Sequence, residues 1–216
     1  MTPIASNPVA SKPEKIPKVS VIITVKNEER TIGRAIESVL RIDYPDYEVI
    51  VVDTGSEDQT IRIAEKHGIK TIQVNASTPS IGRNVGIKNS SGEIVAFVDG
   101  DCYVRRKDWL KTAVDILRQK DVGGVSGPVI SSGQSAYMSK VFLDVFSTFF
   151  ASAGSASFSR YKKQKELKSL PSANAIYRRE ALEKVGLFSE DLKFCEDTDL
   201  SYRIRKAGYR LIYSPN

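Results

Sequence analysis

Two aspartates one residue apart, Asp99 and Asp101, follow a short apolar run from Ile94 to Val98. The run is rich in β-branched and aromatic residues and comes after Ser90-Ser91-Gly92, which is typical of a strand covered on both faces. Open α/β sheets bind ligands at the carboxyl ends of their strands, where these carboxylates are expected. Their oxygens suit a hard divalent cation. The pair taken alone is better explained by a loop whose aspartates cap the next helix.

A second acidic cluster lies near the carboxyl end of the chain, where Glu196, Asp197 and Asp199 open a predicted helix that runs through Lys206. Acids in a first helical turn complement the helix dipole, which explains them without any chemistry. A carboxylate in a cleft can also take a proton from a hydroxyl group. Without other motifs, the helix-dipole interpretation of these acids is preferred.

Strand and helix patterns alternate along the chain and must position both clusters. This alternation favours an α/β fold, with a mostly parallel central sheet flanked by helices in a single domain. Ser56 and Gln59 fit a capping box for a helix that stops at Gly68. Strands are predicted at 19–25, 47–52, 70–74, 94–98, 122–130, 173–177 and 209–213, and the main helices at 32–40, 81–89, 107–119 and 195–206.

Composition limits the class of protein. The chain has 216 residues, of which 41% are hydrophobic, enough for one domain with a real core. Its net charge of +6 indicates an anionic partner or surface. Lys and Arg are scattered and no nucleic-acid motif stands out, so no nucleic acid is expected as a partner. Two cysteines make no disulfide framework, which fits a cytosolic setting.

The predicted organisation has two parts. Residues 1–18 hold four prolines and lack the apolar region of a signal peptide, so they are expected to form a flexible lead-in. Residues 19–216 form the domain, within which 131–170 is a variable insert. No apolar run is long enough to span a bilayer. Because the chain stops straight after a predicted strand, we expect it to be a fragment of a longer protein.

Five motifs come in a familiar order: VIITVKNEE at 21–29, VVDTGSED at 51–58, GRNVG at 82–86, the Asp99–Asp101 triplet and Glu196-Asp197. From about Val19 to Pro215 the chain resembles the family 2 glycosyltransferases, which have the GT-A fold. The resemblance implies inverting transfer of a sugar from a UDP- or GDP-sugar to a hydroxyl or phosphate of a glycan or lipid-linked acceptor. It also implies Mg or Mn as the cofactor.

The resemblance implies a nucleotide-sugar role for several residues. Asp53 would accept a hydrogen bond from the nucleobase, although it could be only a turn aspartate. Glu28 would lie beside the ribose or base, although it could be only an acid at a helix start. Arg83 would hold the diphosphate, unless it is a surface arginine, and Asn84 would position the loop or the base.

The remaining roles concern the metal, the base and the sugar. By resemblance Asp101 contacts the metal directly, and Asp99 lies near the ribose or reaches the metal through water. Asp197 is expected to be the general base, with Glu196 orienting the acceptor or the base. Asn174 is expected to line the sugar pocket.

Two other functions are compatible with parts of the sequence. A sugar-phosphate nucleotidyltransferase is expected to have a glycine-rich loop with a basic residue after the first strand. This chain has the sequence TVKNEE there, at 24–29, which does not fit that class. A non-catalytic nucleotide-sugar-binding or nucleic-acid-binding module is the third reading. Within the insert, the apolar segment 141–150 and the lysines after it fit a membrane-surface element, an acceptor lid or a core helix. The membrane reading predicts a protein at the cytoplasmic face of a membrane.

Overall fold

The computed structural model describes residues 15–128 and 161–215, which form one sheet with helices packed on both faces. In chain order the elements are β1 (Val19–Val25), α1 (Ile32–Leu40), β2 (Tyr47–Asp53), α2 (Thr60–Lys66), β3 (Lys70–Gln73), α3 (Pro79–Lys88), β4 (Ile94–Asp99), α4 (Trp109–Leu117), β5 (Val122–Ser126), β6 (Lys165–Glu166), β7 (Asn174–Arg178), α5 (Arg179–Lys184), α6 (Glu196–Lys206) and β8 (Arg210–Tyr213).

The sheet has the strand order β3-β2-β1-β4-β7-β5-β8-β6. Strands β1 to β4 are parallel, whereas β7 pairs antiparallel with both β4 and β5, and β5 is parallel to β8. Strand β7 runs antiparallel to both of its neighbours, β4 and β5. The two neighbours therefore point the same way, and β1, β2 and β8 run parallel to them. Their carboxyl ends therefore meet the amino end of β7 at one edge, which we call the carboxyl edge.

The side chains of the central strands pack alternately into two hydrophobic cores, one on each face of the sheet, because successive side chains of a strand point to opposite faces. On the first face, called the α4 face, Val21, Ile23 and Val98 pack with helices α1, α2 and α4. On the second, called the α6 face, Ile22 and Phe97 pack with helices α3, α5 and α6. The strands are covered on both sides, which is why they read as continuous apolar runs.

Helix α3 lies very close to the sheet because two of its residues have no side chain. A Cβ at Gly86 would lie 2.5 Å from Cγ2 of Ile22, and one at Gly82 would lie 2.7 Å from Cγ2 of Thr54. Real Cβ atoms do not approach so closely, so both positions require glycine while the helix keeps this position. The close approach brings the residue after Gly82, Arg83, into the protein interior, where it is buried.

The predicted α/β class and the alternation of strands and helices are confirmed, and the parallel arrangement holds for β1 to β4. The capping box was wrong: Ser56 Oγ accepts from the backbone N–H of Asn27, and Asp58 instead accepts from the N–H of Thr60. Residues 1–14 of the lead-in and 129–160 of the insert, including 141–150, lie outside the described residues, so these predictions stay predictions.

Candidate active site

The loops that follow β1 and β2 are joined at the carboxyl edge. The N–H of Asn27 donates to Ser56 Oγ at 2.8 Å, and the N–H of Glu57 donates to Asn27 Oδ1 at 2.9 Å. Asn27 has φ 55°, a left-handed conformation that asparagine adopts more readily than most residues. These bonds fix the two loops together and thereby fix the neighbouring acids, Glu28 and Asp53.

Asp53 ends β2 and is 1% exposed. Its Oδ2 accepts from the N–H groups of Gly55 at 3.1 Å and Ser56 at 3.0 Å, which is the geometry of a turn aspartate. Its Oδ1 is also buried, yet among the described residues it has no hydrogen-bond partner. Buried polar atoms are normally satisfied, so this oxygen is suited to a donor on a bound molecule.

Glu28 lies between the first loop and the aspartate triplet. Its Oε2 accepts from the hydroxyl of Thr31 at 2.7 Å. A Cβ at Gly100 would lie 2.7 Å from Val25 Cγ1 and 3.2 Å from Glu28 Cγ, so glycine is required for this contact. Burial raises the pKa of Glu28 above its usual value, and the nearby charges of Asp101, Asp58 and Asp99 raise it further against the effect of the Thr31 bond.

Asp99 and Asp101 lie at the end of β4, where the sequence predicted them. Asp101 is half-buried and accepts a hydrogen bond from the thiol of Cys102 at 3.3 Å. Within 15–128 and 161–215, no three His, Cys, Asp or Glu side chains are grouped to hold a metal ion by themselves. Two neighbouring carboxylates fit an ion such as Mg²⁺, which commonly takes one or two carboxylates and completes its shell with phosphates and water.

Arg83 connects the two acidic clusters. Its Nη2 donates to Asp99 Oδ1 at 3.1 Å and its Nη1 donates to Glu196 Oε1 at 2.8 Å, although Glu196 is 113 residues away in sequence. The Arg83 side chain is only 6% exposed. A buried guanidinium is costly unless it is paired, so the two carboxylates and the arginine hold one another in place.

This placement bears on the predicted diphosphate role of Arg83. Both terminal nitrogens already bind carboxylates, while its Nε is buried and has no partner among the described residues. The guanidinium therefore holds the acidic clusters together in the structure. The diphosphate contact stays a prediction.

Asn84 is also buried, and its amide group bonds with residues of the segment before α6. Its Nδ2 donates to Phe188 O at 2.9 Å and to Glu190 Oε1 at 2.8 Å, and its Oδ1 accepts from Phe188 N–H at 3.0 Å. Three bonds to residues 188–190 fix the segment that leads into α6. Asn84 thus supports the position of that segment, and the two roles suggested for it, towards the loop or the base, stay predictions.

Helix α6 begins with the second acidic cluster. Cys195, directly before it, has φ 61° and ψ 24°, a left-handed backbone conformation at the helix N-cap. Burial raises the pKa of Asp197 above the usual aspartate value, and the charge of Glu196 raises it further. Asp199 differs, because its hydrogen bond from Arg203 lowers its pKa and it also accepts from Ser189 Oγ at 2.8 Å.

Asn174 lies at the start of β7, on the α4 face rather than beside Arg83. Its Oδ1 accepts from the indole N–H of Trp109 at 2.9 Å, and its Nδ2 donates to Pro128 O at 2.8 Å. These residues line a cavity of about 370 Å³ that also touches Cys102. From sequence Trp109 was assigned only to the core, and nothing in its spacing indicated that it lines a cavity.

The chain is similar to known proteins in both sequence and fold. The family profile "Glycosyl transferase family 2" matches residues 20–186. Glycosyltransferase AglE of Haloferax volcanii is 31% identical over 207 residues, covering 92% of this chain and 65% of AglE. A crystal structure of Staphylococcus aureus TarS 1–349 has a TM-score of 0.69 and 26% identity, covering 92% of this chain and 58% of TarS 1–349.

A second similar structure is the mannosyltransferase PcManGT from Pyrobaculum calidifontis, in complex with GDP-Man and Mn²⁺. Its TM-score is 0.68 and its identity 28%, covering 96% of this chain and 57% of that protein. The fold is that of the GT-A glycosyltransferases, as the sequence predicted. The chain belongs to glycosyl transferase family 2. It spans less than two thirds of the length of each of these three relatives.

Replacing Arg83 with lysine tests the bridge between the clusters. Lysine keeps the charge but cannot bind two carboxylates with a planar fork, so one acid loses its partner. We expect the free energy of unfolding to fall by roughly 3 kcal/mol, the lower end for a broken buried pair, since Asp99 and Glu196 keep some access to water. Urea denaturation measures it. Arg62→Lys, on the exposed face of α2, is the control, and an equal change in both variants would contradict the bridge.

Proposed function

We propose that this chain transfers a sugar, with inversion, from a UDP- or GDP-sugar to a hydroxyl group of a glycan or lipid-linked acceptor, and that a divalent cation assists. The observation that carries the proposal is the Arg83 bridge between Asp99 and Glu196. It brings both acidic motifs of a family 2 chain to one carboxyl edge. A similar protein was solved with GDP-Man and Mn²⁺, and TarS was solved with UDP-GlcNAc.

The donor side of the site is formed by β1, β2 and β4. The free Oδ1 of Asp53 accepts the imide N–H of the nucleobase, because an ionised carboxylate is an acceptor only. Glu28 lies beside the ribose, held by Thr31 and Gly100. Asn84 supports this side indirectly through the segment at 188–190.

The many acidic side chains at the carboxyl edge support the proposal that a divalent cation binds there together with the diphosphate. Six of the proposed site residues are acidic, and Arg83 is already paired with two of them. A diphosphate would be repelled by the remaining carboxylates unless positive charge were added. Asp101, with Asp99 beside it, would hold Mg²⁺ or Mn²⁺, and a bound ion would supply positive charge towards the departing nucleoside diphosphate. The acidic residues are Glu28, Asp53, Asp99, Asp101, Glu196 and Asp197.

The acceptor side depends on Asp197. Its carboxylate takes the proton of the acceptor hydroxyl as the oxygen forms a bond to the anomeric carbon, and the bond to the phosphate oxygen breaks with its electron pair leaving on the diphosphate. A raised pKa makes Asp197 a stronger base than an exposed aspartate. Glu196, held by Arg83, keeps the start of α6 in position.

The two alternative functions, a nucleotidyltransferase and a non-catalytic binding module, are not favoured by the comparisons. The similar proteins are glycosyltransferases and not nucleotidyltransferases or nucleic-acid binders. A screen of UDP- and GDP-sugars with Mn²⁺, in which release of the nucleoside diphosphate is measured, tests the proposal. We expect release from at least one donor, and only with metal. Thermal stabilisation by oligonucleotides alone would instead indicate a binding module.

Contact with a membrane surface is part of the proposal. No helix in the described ranges is long and apolar enough to cross a bilayer. Phe194 is 82% exposed and Tyr202 is 56% exposed, both at the helix that carries Asp197. Arg205 of the same helix donates to Lys168 O at 3.2 Å, which joins the lysine-rich segment to the carboxyl end of this helix. Aromatic and basic side chains together favour an anionic lipid surface, with Lys162, Lys163, Lys165 and Lys168 as its cations.

Asp197→Asn should remove the base and leave the fold intact. We expect nucleoside diphosphate release to fall by roughly 10²- to 10⁴-fold, while donor affinity stays the same. Because the folded-state pKa of Asp197 is raised, its charge costs stability at neutral pH, so the variant should melt at an equal or higher temperature. In the parent, the rate should fall as pH drops through this raised pKa, where the carboxylate becomes protonated.

Asp199→Asn is the matched control on the same helix turn. It loses the Arg203 bond, so the free energy of unfolding should fall by about 1 kcal/mol while the rate is retained. The lowered pKa means that Asp199 stabilises the fold above its unfolded-state pKa of about 3.9, and this contribution disappears as pH falls through the folded value. If the Asp199→Asn variant transferred slowly while the Asp197→Asn variant kept the parent rate, Asp199 and not Asp197 would be the base.

Asp101→Ala tests the metal assignment. Donor affinity in Mn²⁺ should fall at least by the roughly 10- to 100-fold that loss of an outer-shell partner costs, since Asp101 is proposed to touch the ion itself. Isothermal titration calorimetry with UDP or GDP, with and without Mn²⁺, measures it. Asp115→Ala, an exposed acid of α4, should leave the affinity unchanged. Parent-like affinity in Asp101→Ala would contradict the assignment.

Binding to lipid is measured by cosedimentation with phosphatidylglycerol vesicles at low salt. Replacing the four lysines at 162, 163, 165 and 168 with glutamine should abolish most of the binding, because each basic residue near an anionic surface contributes about 1 kcal/mol. The control removes the same charge from four exposed lysines elsewhere: Lys66, Lys88, Lys111 and Lys120. Equal losses in the two variants would show that only net charge matters, and absence of binding by the parent would end the membrane proposal.

A further inference from the structure

A cavity of about 370 Å³ opens at the carboxyl edge on the α4 face, away from the Arg83 bridge. Cys102 lines it, and the Cys102 thiol donates to Asp101. One side chain therefore separates the cavity from the carboxylate proposed to hold the metal. Its volume lies at the lower end for small-molecule pockets, which suits a phosphorylated sugar or polyol better than a whole nucleotide sugar.

The cavity wall is held in shape by a chain of hydrogen bonds. Trp109 donates to Asn174, and Asn174 donates to the carbonyl oxygen of Pro128. Trp109 is 8% exposed, so its ring forms a fixed apolar wall. A wall that is already ordered loses little conformational freedom when a ligand binds, which favours affinity.

The loop that rims the cavity is basic. Arg106 is neutralised by Asp108, with which it forms bonds of 2.8 and 2.6 Å. Arg105 also lines the cavity and is exposed, and no acidic side chain in the described part of the chain pairs with it. Arg34 lies 4.0 Å from the centre of the Tyr103 ring, on a second residue of the wall, and adds to the positive charge.

We propose that this cavity binds the phosphate group of a phosphate-bearing acceptor, with Arg105 as the partner of the anion and Trp109 as the apolar wall. Arginine binds phosphate through paired donors, which matches its place at the rim. The acceptor hydroxyl then extends past Cys102 and across the end of β4 towards Asp197, the proposed base. This inference rests on the proposed transferase function, because it assigns the acceptor of that same site.

Fluorescence of Trp109 reports on the cavity directly, because it is the single tryptophan of the chain. Titration of the whole chain with glycerol 3-phosphate should change its emission saturably, and glycerol should not. In Arg105→Gln we expect the affinity for glycerol 3-phosphate to fall at least about tenfold, as for loss of a hydrogen bond to a charged group.

Lys107→Gln is the matched control, since it removes the same charge from the same loop at a residue that does not line the cavity. Its affinity should equal that of the parent chain. Equal weakening in Lys107→Gln and Arg105→Gln would overturn the proposal, because only general electrostatic attraction would then remain.

Two phosphate sources are separated by a second titration with dihexanoyl phosphatidylglycerol and its phosphatidylcholine counterpart. Saturation by glycerol 3-phosphate supports a soluble acceptor, and a response to phosphatidylglycerol alone supports a lipid head group. If none of these compounds changes the Trp109 emission, the proposal is overturned. Metal-dependent UDP or GDP binding is measured separately. If that binding is intact while the Trp109 emission does not change, only the cavity assignment fails. The reverse result removes the transferase function and with it the acceptor role of the cavity, and leaves only phosphate binding there.

Discussion

The buried guanidinium of Arg83 lies between a carboxylate from the end of β4 and a carboxylate from the start of α6. An arginine in this position is stable only while both acids stay beside it, and the acids are brought together only while the arginine is there. The arrangement also needs α3 to approach the sheet, which Gly82 and Gly86 permit. The motif GRNVG therefore has two structural roles. Its glycines let α3 lie close to the sheet, and its arginine binds the carboxylates of both acidic clusters.

The direction of a single strand decides where the site lies. Because β7 runs against both of its neighbours, β5 and β8 point the same way as β1 to β4, and the loops from both halves of the chain reach one edge. That edge carries acids whose pKa values burial and mutual repulsion raise, as at Glu28 and Asp197, within a chain of net charge +6. A cationic ligand between the acids and an anionic substrate suits this distribution.

The two faces of the sheet divide the site into two parts. The α6 face holds the Arg83 bridge, whereas the α4 face holds the cavity with Trp109 and Asn174. The loop from Asp99 to Cys102 lies between them and contributes to both, because Asp99 binds Arg83 and Cys102 lines the cavity. Donor and acceptor are thus proposed to meet across the end of β4.

The sequence predicted most of the strands and helices, and it placed Asp53, Asp99 and Asp101 at strand ends, because hydrophobic periodicity and the end of an apolar run are local properties. It did not predict β6, which lies within the stretch expected to be a variable insert. It could not show that Arg83 would bind Glu196, since a contact over 113 residues depends on how the sheet closes. Nor could it show that Trp109 and Asn174 would form a cavity wall, because their partners come from different strands and helices. Those contacts were decided by the tertiary structure, through the reversal of β7 and the close packing of α3.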